Sequence, residues 1–148
     1  MRKLWWLCLF SSFTFGDSLL VDYQRIDRVL FEKEIVGNTI IGITRQSQSL
    51  YMLYFQADGS CELWKQNQKY SGAWWIDEDA EGKDLIHAFW PDYISLEPKS
   101  LFSPKNRSYG KPTSLRYYFN PATRGVFIRG KAFQTPVLLA PGCAFPSK

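Results

Sequence analysis

The sequence predicts a mainly β fold with one N-terminal helix, arranged as a small antiparallel β-barrel or sandwich. Three observations carry this reading. Short runs rich in β-branched and aromatic residues recur from Asn38 to the C-terminus. Turn-forming stretches such as Asp58-Gly59, "QNQK" and "NPATRG" separate them. Helical periodicity is confined to the segment before them, where Leu19, Tyr23, Ile26 and Leu30 follow one another at four, three and four residues. Strand-length runs at regular spacing after one amphipathic helix are the pattern of a curled antiparallel sheet.

The first element is a leader. Met1-Arg2-Lys3 is basic, residues 4–15 are mostly apolar, and Thr14-Phe15-Gly16 offers small residues before a cut at Asp17. That is the three-part pattern of a secretory signal peptide. Twelve residues of helix rise only about 18 Å, short of a ~30 Å hydrocarbon core, so residues 1–16 read as a cleaved signal and not as an anchor. No later stretch is long and apolar enough to cross a bilayer. The expected location is periplasmic or extracellular.

Residues 17–148 then form one expected domain of 132 residues, enough for a core of its own. The helix is expected over about 18–36, with Asp17 or Ser18 as cap, Arg28 and Glu32 paired at i,i+4, and Gly37 as the stop. "NTIIGITR" is the first strand. "SLYMLYFQADGSCELWKQ" is the clearest hairpin, its arms flanking Asp58-Gly59. A two-residue loop there sets Phe55 across from Glu62, Leu53 from Trp64, and Tyr54 from Leu63. "YSGAWWID", "DLIHAFW", "DYISLEP", "SLRYYFN", "GVFIRG" and "TPVLLA" supply the remaining strands, with a long loop over residues 99–114.

The stretch "YSGAWWIDEDAEG" invites two functional readings, and both fail on spacing. Asp77, Asp79, Glu81 and Gly82 fall where an EF-hand loop has ligands and its glycine. The twelfth position is Ala88 instead of a bidentate Glu, however, and the flanks are strand-like. Gly72-Ala73-Trp74 is similar to the G-x-W of lipocalins, but there it opens the first strand and here it follows a helix and three strand candidates. The segment reads as a strand entering a solvated acidic turn, with Trp74 and Trp75 on opposite faces. A wider set of residues is more informative: Gly37-Asn38-Thr39 with Gly42, Tyr54-Phe55 with Asp58-Gly59, and Gly72 with Trp74 and Ile76. Over residues 37–76 the chain resembles small exported bacterial β-domains of unknown function. That resemblance implies a fold and a location, and no catalytic residue.

Chemistry is scarce. His87, the single histidine, sits within the apolar run "LIHAFW" and reads as a satisfied strand residue. There is no nucleophile elbow, phosphate loop or H-E-x-x-H motif, so neither an enzyme, a metal nor a cofactor is expected. Removal of the leader leaves Cys61 and Cys143. In an oxidising compartment these are expected to pair, closing a loop of about 80 residues.

Charge is the stronger signal. Residues 17–97 hold seven cations and all fourteen acids, a balance of −7, whereas residues 98–148 hold nine cations and no acid, +9. Aromatics are interleaved with those cations. The expected binding residues are Arg116, Tyr118, Phe127, Arg129 and Lys131, a surface suited to an anionic lipid, an anionic glycan or an envelope protein. Export argues against nucleic acid as the partner. The competing expectation is that these cations merely balance residues 77–84. A barrel carrying a small apolar ligand is the alternative function.

Overall fold

The computed structural model describes residues 22–44, 48–93, 112–130 and 134–147. Residues 1–16, expected as a leader, Leu19, Lys131, most of "DYISLEP" and most of the long loop lie outside the described residues. A two-residue strand, β1 (Gln24–Arg25), and a short helix, α1 (Arg28–Glu34), precede eight longer strands. These are β2 (Asn38–Ile43), β3 (Leu50–Phe55), β4 (Ser60–Lys65), β5 (Gln68–Glu78), β6 (Asp84–Phe89), β7 (Thr113–Phe119), β8 (Val126–Arg129) and β9 (Gln134–Pro141). Each of the eight pairs antiparallel with its neighbours in the chain, and β9 returns to pair with β2. The result is a closed eight-stranded up-and-down β-barrel. β1 lies against the second half of β7, Gln24 opposite Phe119 and Arg25 opposite Tyr118, where β6 no longer reaches. Closure leaves the barrel strands without a long free edge.

Strand alternation fills the interior. Ile40, Leu53, Phe55, Cys61, Leu63, Ile86, Tyr117, Val126 and Ile128 are all buried, while their neighbours in sequence turn outward or are covered from outside. An eight-stranded barrel is just wide enough for side chains to fill, and here α1 supplies part of the filling. The ring of Phe31 meets Phe55 at 5.2 Å, Trp74 at 5.3 Å and Tyr117 at 5.3 Å between centroids. Arg124, in the β7–β8 turn, holds Glu34 of the helix at 2.9 Å.

The helix is shorter than the sequence predicts, Arg28–Glu34 in place of about 18–36, and it buries a different face. Asp27 caps it by accepting the Leu30 N–H at 2.8 Å, and Gln24 and Arg25 are already committed to β7. Phe31 and Ile35, one turn apart, point into the barrel. The periodicity of Tyr23, Ile26 and Leu30 was a coincidence of spacing. Tyr23 belongs to the extended approach, where it packs edge-on against Phe127 at 4.8 Å.

The β3–β4 register is also corrected by one residue. Phe55 faces Cys61, Tyr54 faces Glu62 and Leu53 faces Leu63. The connection is Ala57-Asp58-Gly59, closed by Gln56 N–H to Ser60 O at 2.9 Å, with Gly59 at φ 86°. A three-residue loop ending in a left-handed glycine replaces the expected two-residue turn. The next turn, Gln66-Asn67, does have both residues at positive φ, 53° and 60°.

That one-residue difference matters for the thiols, because register decides which face a side chain takes. Cys61 points into the core, whereas Cys143 is exposed. The C-terminal tail runs over the outer face: Thr39 Oγ1 donates to Gly142 O at 2.6 Å, Ala144 N–H donates to Thr39 Oγ1 at 2.9 Å, and Phe145 meets Tyr54 at 6.4 Å. The barrel wall stands between the two sulfurs. The expected disulfide is absent, and both cysteines are free.

Candidate functional site

The strands β7 and β8 place alternate residues outward, and their pairing sets two cations face to face. Arg116 is directly opposite Arg129, and Tyr118 is opposite Phe127. Like charges at directly opposed positions destabilise a sheet. Arg25 arrives beside them because β1 pairs with Tyr118. The loop after β5 brings Glu81 and Lys83. Together with Ser114 and Tyr118 these residues line an open cleft of about 690 Å³ on the outer wall.

One carboxylate organises the cations. Arg25 Nη2 donates to Asp79 Oδ2 at 2.8 Å and to the Asp84 carbonyl at 2.8 Å, while Arg116 Nε lies 3.5 Å from the same Asp79 oxygen. The other Asp79 oxygen accepts the backbone N–H groups of Glu81 at 2.9 Å and Lys83 at 3.0 Å. The hydrogen bond from Arg25, aided by the Lys83 and Glu81 amides, holds the Asp79 carboxyl well below the usual carboxylate range. At the other end of the turn, Asp84 Oδ2 accepts the Arg28 N–H at 2.6 Å. The acidic loop therefore clamps the β1–α1 segment onto the barrel and is not simply solvated. Asp79 and Asp84 serve the fold, and the groups they hold belong to Arg25, Arg28 and Arg116.

Of the sequence-predicted binding residues, Arg116, Tyr118 and Arg129 line this cleft. Phe127 shares their face but is packed against Tyr23. Lys131 lies outside the described residues. The expectation that C-terminal cations balance residues 77–84 is realised for Arg116 through Asp79. Lys83 leans toward Glu81 at 3.3 Å. No ion pair with Arg129 is found among the described residues. Sequence reasoning missed Arg25 and Lys83. Arg25 reaches the site through a pairing with a strand more than ninety residues away, which no local pattern announces.

The tryptophan pair divides as alternation requires. Trp74 turns inward, its Nε1 donating to Gln56 O at 2.8 Å. Trp75 turns outward and stacks on His87, with ring centroids 5.3 Å apart and planes 15° from parallel. His87 Nδ1 is 2.8 Å from Ser114 Oγ, so the histidine is a satisfied outward strand residue beside the cleft. No group of metal-ligating side chains is found among the described residues. Nor is any helix among them long and apolar enough to cross a membrane.

No family model, curated protein or solved structure matches this chain.

Proposed function

We propose that this protein is an exported, non-catalytic β-barrel module that binds an anionic envelope or surface component at the cleft between β7, β8 and the β5–β6 loop. The ligand chemistry is an oxyanion, such as the phosphate, sulfate or carboxylate group of a lipid or glycan. The observation that carries this reading is the Arg116–Arg129 cross-strand pair. Two opposed guanidinium groups repel each other, and Asp79 reaches only one of them. A ligand oxyanion placed between them relieves that repulsion and takes paired N–H donors from planar, always-charged groups. Arg25 and Lys83 add positive potential from the rim, and Tyr118 offers a ring against which a sugar or glycerol backbone can lie. The barrel interior supports a structural role, since Phe31, Phe55, Trp74 and Tyr117 meet there ring to ring.

Co-sedimentation with vesicles tests the proposal. Phosphatidylglycerol vesicles should retain the protein and neutral phosphatidylcholine vesicles should not, with retention weakening as salt rises. A sulfated polysaccharide column forms a second arm, separating a lipid from a glycan source. The double variant Arg116→Glu/Arg129→Glu should lose retention in whichever arm binds. Equal behaviour of wild type and variant in both arms would sink the reading.

A further inference from the structure

The opposite side of the barrel has a different surface, and it answers a different question. On β9, β2, β3 and β4 the outward positions form a row in register: Leu138 beside Ile41, Ile41 beside Met52, Met52 beside Trp64. Ile43 and Leu50, themselves opposed, extend the row on one side. On the other side the C-terminal tail covers Thr39 and Tyr54. Nothing among the described residues covers Leu138, Ile43 or Leu50, which are 71%, 53% and 40% exposed. Ile41, Met52 and Trp64 in the same row are half-buried, and exposed apolar residues gathered around them on one face suit an interaction site.

We infer that this wall is the interface of a weak, two-fold symmetric dimer of the chain. Three features favour a second copy. First, these six outward side chains carry no charge, and beside Trp64 the described charges of Glu62 and Lys69 neutralise each other at 2.9 Å. An uncharged wall rimmed by an internal ion pair is complementary to itself, whereas a headgroup surface is met with cations, and the cationic cleft lies on the opposite wall. Second, the row is bulky at one end, Trp64, and slighter at the other, Leu138. A two-fold axis near Ile41 and Met52 sets each tryptophan against the partner's leucine end, as an isologous contact requires. Third, barrel closure leaves the wall's strands no free edge, so association must be face to face. Such packing places the two cationic clefts at the far ends of the dimer, where their like charges repel least.

The patch covers on the order of 300 Å² in projection, from strand spacings of about 4.8 Å and residue rises of about 3.3 Å. That is below the ~800 Å² per partner of a tight complex, so the dimer is expected in the range of about 10–100 μM.

Sedimentation velocity of the chain, in the N-terminal form its host leaves, provides the test. The wild type should pass from monomer to dimer as concentration rises through that range. Leu138→Lys and, separately, Ile43→Lys should each weaken association more than tenfold with unchanged near-ultraviolet circular dichroism. Because both side chains are exposed, neither variant removes core packing. Arg116→Glu/Arg129→Glu should dimerise normally, which separates this inference from the anion site. A wild type that stays monomeric, association that survives both lysine variants, or binding of the wall to neutral phosphatidylcholine vesicles would overturn it.

Discussion

Two walls of one barrel share an interior and differ in everything they show to solvent. Inside, β7 contributes Tyr117 and β3 contributes Phe55 to the same ring cluster through Phe31. Outside, β7 and β8 present Arg116 opposite Arg129, while β2 and β3 present Ile43 opposite Leu50. Folding constrains the inward residues to be apolar and well packed. It leaves the outward ones free, so a cross-strand cation pair on one side and an uncovered apolar row on the other are features that folding alone does not require. The difference separates what packs the lumen from what the walls offer to a partner under the proposed function.

That division can be broken most severely from within. Phe31→Ala removes the ring that joins α1 to three strands, and should cost about 3–5 kcal/mol in urea unfolding while leaving both walls chemically intact. A cost near zero would mean the helix is not part of the core. The thiols probe the same boundary chemically. Burial pushes the Cys61 thiol up to about 12, while Cys143 is exposed. Alkylation at pH 8 followed by peptide mapping should label Cys143 about a thousandfold faster than Cys61, since the thiolate is the reactive form. Joint protection of both until a reductant is added would restore the disulfide that the register argues against.

The cationic wall should respond to smaller changes. Arg129→Ala alone should weaken binding to phosphatidylglycerol vesicles by about tenfold, the order of one charge-assisted contact, and leave thermal stability unchanged or slightly raised, because it removes a like-charge pair. The Asp79 clamp gives the subtlest effect. Its folded carboxyl titrates below the unfolded value, so its stabilisation is complete above about pH 4 and is lost as pH falls through the depressed folded value. Asp79→Asn should therefore lower the melting temperature at pH 6, and the two proteins should converge toward pH 2. Parallel curves at every pH would remove Asp79 from its clamping role.

Much of this barrel was legible before the structure. The period-two alternation and the turn residues are local signals, and they place every described long strand. The failures were of two physical kinds. Helical spacing at Tyr23, Ile26 and Leu30 was overridden because Asp27 caps late and β1 finds a partner in β7, a long-range pairing. The β3–β4 register slipped by one because Asp58-Gly59 is equally compatible with two- and three-residue loops. The expected disulfide rested on cysteine count and compartment, and neither says that one thiol is buried and the other exposed. Arg116, Tyr118 and Arg129 were readable from charge and alternation. Arg25, Lys83 and the Asp79 clamp were not, since only the closed topology brings them together.

The most direct test of the anion-binding claim is a titration of the ¹⁵N-labelled protein with inorganic phosphate, against sodium chloride at matched ionic strength. Saturable shifts should appear at the amides of Arg25, Lys83, Ser114, Arg116 and Arg129, with Ile41, Met52 and Leu138 unmoved. Phosphate that moves none of the first set, or that perturbs the lumen around Leu63 and Tyr117 instead, would contradict the account.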